Sequence, residues 1–128
     1  MNSVVLDASA LITMLNQESG ADMLTPEILL NAVSSTVNLA EVQSKLVSRG
    51  LPPEAAWRAT LHSVREAISF TPEHAKTAGS LIAETRPLGL SLGDRACLAL
   101  ALELKAQVYT ADRSWKHLKL GLRIHIIR

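Results

Sequence analysis

The chain has 128 residues, with 13 Lys and Arg against 12 Asp and Glu for a formal charge of +1. It is 48% hydrophobic, enough for one domain that buries roughly 68% of its unfolded surface, and with aromatics at 3% its core must be Leu, Ile, Val and Ala, which suits helices on a small sheet better than a β-sandwich. Cys97 is the only cysteine, which excludes an intramolecular disulfide and a zinc site built on several thiolates.

In chain order, Ser3 to Leu6 reads as a buried strand and Ala8 to Leu15 as a helix starting directly after Asp7. Ala32 to Ser35 is the second strand. Thr36 is the expected N-cap of a helix over Val37–Ser48, with Leu39, Val42 and Leu46 on one face and Gly50 closing it. Pro52-Pro53 opens a helix running through Trp57, Leu61 and Val64 to about Glu66, since proline is tolerated in a first turn. Ala67 to Phe70 is a short strand. Thr71-Pro72-Glu73 starts a helix through Ala75, Ala78, Leu81 and Ile82, which Pro87 and Gly89 break, so that Pro87 to Gly93 is a loop. Ser91 to Asp94 has capping-box spacing and opens the helix Arg95–Lys105. Gln107–Thr110 and Leu122–Ile127 are the last strands. Five strands alternating with helices predict an α/β fold, a mostly parallel five-stranded sheet covered on both faces. No linker or repeat divides the chain, so residues 1–128 are expected to form one domain.

The first apolar run is short, has no basic residue ahead of it and is interrupted by Asp7, unlike a secretory signal. No segment approaches the ~18 uninterrupted apolar residues of a membrane span. The expectation is a soluble protein of a reducing compartment, the cytoplasm, with Cys97 as small core filler.

Charge is unevenly spread. Residues 1–44 carry Asp7, Glu18, Asp22, Glu27 and Glu41 with no Lys or Arg, whereas from Lys105 onward six bases face only Asp112. An acidic cluster beside basic residues is what a metal-dependent enzyme acting on phosphates needs, acids for the cation and Lys or Arg for the polyanion; ordinary surface solvation is the plainer reading of any single base. Asp7, Glu41, Asp94 and Asp112 each fall at a strand C-terminus or in the early turns of a helix, positions that share one edge of a parallel α/β sheet.

Each acid also has a structural reading. Asp94 fits as the third residue of a capping box, Asp112 as the cap of a short turn over Arg113-Ser114-Trp115, and Glu41 as a solvated helix residue. Asp7, directly after Val4-Val5-Leu6, has no base within the first 44 residues to pair with. Four clustered acids repel one another, and that mutual cost favours a cation between them. Hard oxygen ligands select Mg²⁺ or Mn²⁺, with Asp7 and Asp94 as principal ligands, Glu41 as ligand or base and Asp112 as a second-site ligand or water orienter.

Other chemistries lack their residues. The six glycines never take the spacing of a dinucleotide or P-loop motif. An aspartyl-phosphate phosphatase wants a second Asp at position 9, which is Ser; a receiver domain wants paired acids beside Asp7, and a Ser-His-Asp hydrolase wants a nucleophile elbow.

Val4-Val5-Leu6-Asp7-Ala8-Ser9-Ala10-Leu11, Asn38-Leu39-Ala40-Glu41-Val42, Leu92-Gly93-Asp94-Arg95-Ala96-Cys97-Leu98-Ala99 and Tyr109-Thr110-Ala111-Asp112-Arg113 stand in order across essentially the whole chain. Together they resemble the motifs of PIN domains, and in length and spacing the VapC toxins of bacterial toxin–antitoxin pairs. The resemblance implies a three-layer α/β/α fold, a Mg²⁺- or Mn²⁺-dependent endoribonuclease acting on tRNA or another structured RNA, inhibition by a VapB-type antitoxin, and a homodimer. Carried over by position, Asp7, Glu41, Asp94 and Asp112 are the acidic cluster and Ser9 the hydroxyl near the metal; Ser9 also fits as a cap of the helix after Asp7. The alternative is a catalytically silent module of the same fold that binds RNA or protein, which is expected to have lost acids.

Arg95 and Arg113 each follow an acid, and both a phosphate contact and a salt bridge to the acids stand open. Lys116, His117 and Lys119 form a candidate RNA-binding rim. The helices between Ala8 and Leu30 and between Pro53 and Glu66 offer apolar faces, with Met14, Leu15, Met23, Leu24, Ile28 and Trp57, to a partner or to the core.

Overall fold

A computed structural model describes residues 2–128. The strands are β1 Val4–Leu6, β2 Ala32–Ser35, β3 Glu66–Ile68, β4 Gln107–Thr110 and β5 Ile124–Ile126, and the α-helices are α1 Ala8–Leu15, α2 Pro26–Leu30, α3 Thr36–Ser48, α4 Pro53–His62, α5 Pro72–Ser80, α6 Ile82–Thr85 and α7 Leu92–Leu104. Three short 3₁₀ turns, Ala21–Met23, Arg86–Leu88 and Arg113–His117, complete the chain.

The strands form one sheet in the order β3-β2-β1-β4-β5, and every neighbouring pair is parallel. Val4 stands opposite Ala32 on one side and Gln107 on the other. From β1 the chain builds outward through β2 and β3, then returns to lay β4 and β5 on the opposite side. The order therefore reverses between β1 and β4, where open parallel sheets form a crevice beyond the strand ends.

Strand alternation divides the core into two layers. Val4, Leu6 and Ala32 point to one face, where they join Leu11 of α1, Leu39, Val42 and Leu46 of α3 and Ala56 of α4. Val5, Val33 and Val108 point to the other, against Leu81, Cys97, Leu98, Leu100 and Ala101. Trp115 in the last 3₁₀ turn is fully buried there. Helices on both faces of the sheet make the expected three-layer α/β/α arrangement, with an all-parallel sheet. Among the described residues no helix is long and apolar enough to cross a membrane.

Several boundaries differ from the expected ones, and tertiary contacts explain most of them. Ser35, not Thr36, caps α3: its Oγ accepts from the Val37 amide, while the Thr36 hydroxyl accepts from the Phe70 amide at the far end of β3. Helix α4 stops at His62 because the chain turns into the sheet, the Arg65 amide donating to the Ala32 carbonyl at 2.8 Å. Strand β3 accordingly starts at Glu66 and ends before Phe70. The helix after Thr71 is interrupted at Leu81, whose ψ of 2° caps α5 before α6 resumes. Part of the Pro87–Gly93 loop is structured by the 3₁₀ turn and by the first residues of α7. The sequence reading does not delimit α2, although Thr25-Pro26 repeats the cap-then-proline signature and Thr25 Oγ1 accepts from the Ile28 amide.

Candidate active site

Asp7 ends β1 and is at once the N-cap of α1, only 2% exposed. Its Oδ1 accepts from the Ala10 amide at 2.8 Å and its Oδ2 from Thr110 Oγ1 at 2.6 Å, while Ser9 Oγ lies 2.7 and 2.9 Å from the two oxygens. Burial pushes its carboxyl up from 3.8 to about 6. The donors from Thr110, Ala10 and Ser9 pull it back, and the negative charge of Asp94 raises it further. Among the described residues no cation pairs with it.

Ser9 is not the expected cap of the helix after Asp7: Asp7 itself is the N-cap, and Ser9 lies one residue inside α1. Its Oγ accepts from the Ala111 amide at 2.9 Å and lies 3.2 Å from Thr110 Oγ1, so it ties the start of α1 to the end of β4. Thr110 Oγ1 in turn accepts from the Asp112 amide at 3.1 Å. Asp7, Thr110 and the Asp112 backbone thus form one hydrogen-bonded chain across the β1–β4 switch point.

Asp94 stands at the third position of α7 in the expected capping box: its Oδ2 accepts from the Ser91 amide at 2.8 Å, and Ser91 Oγ accepts from the Asp94 amide. Glu41 projects from α3, and its Oε1 accepts from Asn38 Nδ2 at 3.0 Å. The charges of Asp7, Asp94 and Glu41 all reach Cys97, whose buried thiol is pushed well up, first by desolvation and then by these three. Three of the four acids therefore surround the first turns of α7.

Asp112 is set apart. It is exposed and caps the last 3₁₀ turn, its Oδ1 accepting from the Ser114 amide and hydroxyl at 2.9 and 2.7 Å. It joins the others only through Thr110. Among the described residues no three His, Cys, Asp or Glu side chains gather into a set that holds a metal as they stand. Each acid except Glu41 takes a backbone amide donor of its own, and like charges find no reason to close further. The donor set nevertheless suits a hydrated hard cation: it is all oxygen, and among the described residues Glu41 Oε2, Asp94 Oδ1 and Asp112 Oδ2 accept no hydrogen bond. Mg²⁺ uses few carboxylates and keeps several waters.

Among the described residues neither arginine forms the salt bridge to the acid it follows. Arg95 Nη1 donates to the Ala78 carbonyl of α5 at 2.9 Å, and Arg113 Nε donates to the Arg128 carbonyl at 3.1 Å. Lys116, His117 and Lys119 are exposed on and just beyond the turn that Asp112 caps.

Three residues of the site were hidden in the sequence. Thr110 and Gly93 lie inside the quoted motifs as apparent spacers, and Asn38 passes for a helix residue. Asn38 precedes Glu41 by three, on the same helical face, and that spacing is the one signal available. Two cavities of about 480 Å³ lie away from the acids, one lined by Leu102, Lys105, Gln107, Leu122 and Arg123 and the other by Met14, Leu29, Leu30, His62 and Val64.

The chain resembles several solved structures. It is similar to the VapBC2 toxin–antitoxin protein of Rickettsia felis, solved with a promoter DNA fragment, at 20% identity and TM-score 0.74 over 98% of each chain. A toxin–antitoxin complex from Klebsiella pneumoniae gives 17% identity and TM-score 0.75 over 98% of each chain. VapC20 of Mycobacterium tuberculosis, a toxin that cleaves the sarcin–ricin loop, gives 20% identity and TM-score 0.74 over 94% of this chain and 99% of that one. At these identities the likeness is one of fold. No curated protein sequence matches the chain. The PIN domain family model matches residues 4–120, four of the five strands and all four acids, and the chain belongs to the PIN domain family.

Proposed function

We propose that this chain is a VapC-type toxin, a Mg²⁺- or Mn²⁺-dependent endoribonuclease that hydrolyses phosphodiester bonds in tRNA or another structured RNA. The observation that carries this reading is Asp7, a carboxylate buried at a strand end with no cation beside it among the described residues and with Asp94 and Glu41 around the same helix turn. A silent module gains nothing from that cost. The likeness of fold to toxins of toxin–antitoxin pairs along nearly the full chain supports the same reading.

Asp7, Asp94 and Glu41 would hold the cation, with Asp112 as a further ligand or as the orienter of a water. When bound, such an ion supplies a water of lowered pKa and offsets charge on the phosphoryl oxygens. Ser9 and Thr110 fix the Asp7 carboxylate so that its oxygens need not reorganise when charge develops. Lys116, His117 and Lys119 would hold neighbouring phosphates, a contact that weakens with salt.

The groove lined by Met14, Pro26, Leu29, Val64 and the 72% exposed Leu30 supports a VapB-type antitoxin as partner. A homodimer and a cytoplasmic location complete the proposal.

The test is cleavage of total tRNA and of an unrelated structured RNA in Mg²⁺, Mn²⁺ and EDTA, with Asp94→Asn alongside. Discrete cleavage that needs the metal and vanishes in the variant is expected. Folded protein that cuts neither RNA with either metal would replace this reading with the silent module.

A further inference from the structure

Glu41 differs from the other acids in its support. Asp7, Asp94 and Asp112 each receive a backbone amide at a helix or turn start, whereas Glu41 lies within α3 and has no such donor. Two features of the structure replace it. Asn38, 1% exposed, spends both amide hydrogens in one direction: Nδ2 donates to Glu41 Oε1 at 3.0 Å and to the Gly93 carbonyl in the first turn of α7 at 2.9 Å. Its own Oδ1 is buried and finds no partner among the described residues, an arrangement that costs stability. Two acceptors facing Nδ2 also fix the orientation of the amide, since the flipped form would set oxygen against oxygen.

Gly93 supplies the second feature. It is buried, and a Cβ there would fall 2.6 Å from Glu41 Oε2, 2.7 Å from Cδ, and closer still to Oε1. The Glu41 carboxylate rests on the bare Cα of Gly93. The glycine's φ is not positive, so the need is for space and not for backbone freedom.

We infer that Asn38 and Gly93 are positioning residues that form a seat for the Glu41 carboxylate, fixing the acid of α3 against the acid-bearing end of α7. An apolar residue at position 38 would satisfy the core at lower cost, and a buried amide with an orphaned oxygen is retained where it sets geometry. The inference rests on the proposed metal-dependent reading and adds to it which residues set the third ligand. A free Glu41 would swing toward solvent, away from the like charges of Asp7 and Asp94.

The test is Mn²⁺ affinity, read from the spectrum of free Mn²⁺ by electron paramagnetic resonance, with no RNA present. Asn38→Ala and Gly93→Ala, checked for folding by circular dichroism, are each expected to weaken binding by about 10-fold or more, the lower end for residues that orient ligands. In a Glu41→Ala background Asn38→Ala should add less than about 2-fold, because the group it positions is gone. An Asn38→Ala loss of equal size in both backgrounds would assign Asn38 to general support of the fold and overturn the seat. Native affinity in both single variants would overturn it as well. Failure of the native protein to bind Mn²⁺ at all would remove the metal-dependent reading and the seat with it.

Discussion

Replacing Asp7 with Asn should make the metal-free protein more stable at neutral pH. The Asp7 carboxyl titrates at about 6 in the fold against 3.8 outside it. The native state therefore holds this proton more tightly than the unfolded chain does. Stability from the protonated acid is complete below about pH 4 and is lost as pH rises through about 6, in total roughly 3 kcal/mol for a side chain this deeply buried. Asn has the shape of the protonated acid. Its oxygen can accept from Ala10, and the hydroxyls of Ser9 and Thr110 can rotate to accept from its amide. Allowing about 1 kcal/mol for weaker hydrogen bonds, Asp7→Asn should gain about 2 kcal/mol at pH 7.5 in EDTA, roughly 8 °C in Tm for a chain of this size. Urea titrations at about pH 4 and pH 7.5 measure both ends, and at the lower pH the gain should give way to a small loss, at most the ~1 kcal/mol of weaker hydrogen bonds. On the proposed reading the cation binds only the native carboxylate, so saturating Mn²⁺ should narrow or reverse the gap. A variant no more stable than the native protein at pH 7.5, or a difference independent of pH, would show that Asp7 is not held at a cost.

Two further predictions concern its neighbours. Thr110→Val keeps the shape of a buried strand residue but removes the donor to Asp7 Oδ2 and the acceptor of the Asp112 amide; it should cost about 1–3 kcal/mol in urea at pH 7.5 and move the Asp7 titration upward, and an unchanged midpoint would mean that water replaces the hydroxyl freely. Cys97 is fully buried with its thiol pushed well up by desolvation and by three carboxylates, so a disulfide reagent should label it only as fast as the protein opens; labelling at the rate of a free thiol in the folded state would contradict that environment.

The sheet and the order of the acids are legible because both are local. Val4-Val5-Leu6 before Asp7, Ser91 three residues before Asp94, and Asp112 before Arg113-Ser114-Trp115 announce a strand end and two caps within a few residues. What sequence alone does not show is decided across the fold. Ser35 and Thr36 are both good caps, and the choice falls to Ser35 because Thr36 is engaged by the Phe70 amide. The end of α4 is set by the Arg65 amide pairing with Ala32. Gly20 has a φ of 101° and approaches the Ile127 backbone so closely that no Cβ fits, a contact with the other end of the chain that no local pattern carries. Arg95 and Arg113 look like partners of the acids they follow, yet the helix and turn geometry turn both guanidinium groups toward carbonyl oxygens.

On the proposed reading, capping and catalysis do not compete as explanations for these acids. A parallel sheet brings strand ends and helix starts to one edge, and an acid at a helix start accepts backbone amides while meeting the positive end of the helix dipole. Asp94 and Asp112 spend one oxygen on a cap and keep the other outward. The cap limits each acid's motion and offsets part of the repulsion among them, so that each carboxylate holds its place at the sheet edge without a cation. Asp7 lies deepest and has both oxygens occupied, so its cost is the highest and, on the proposed reading, its gain from a cation the largest. Glu41, placed mid-helix, lies outside this device, and an acid that must join the group from there needs a side-chain donor and a residue without a Cβ opposite it. Asn38 and Gly93 are those two residues, 55 positions apart in the chain and 2.9 Å apart in the fold.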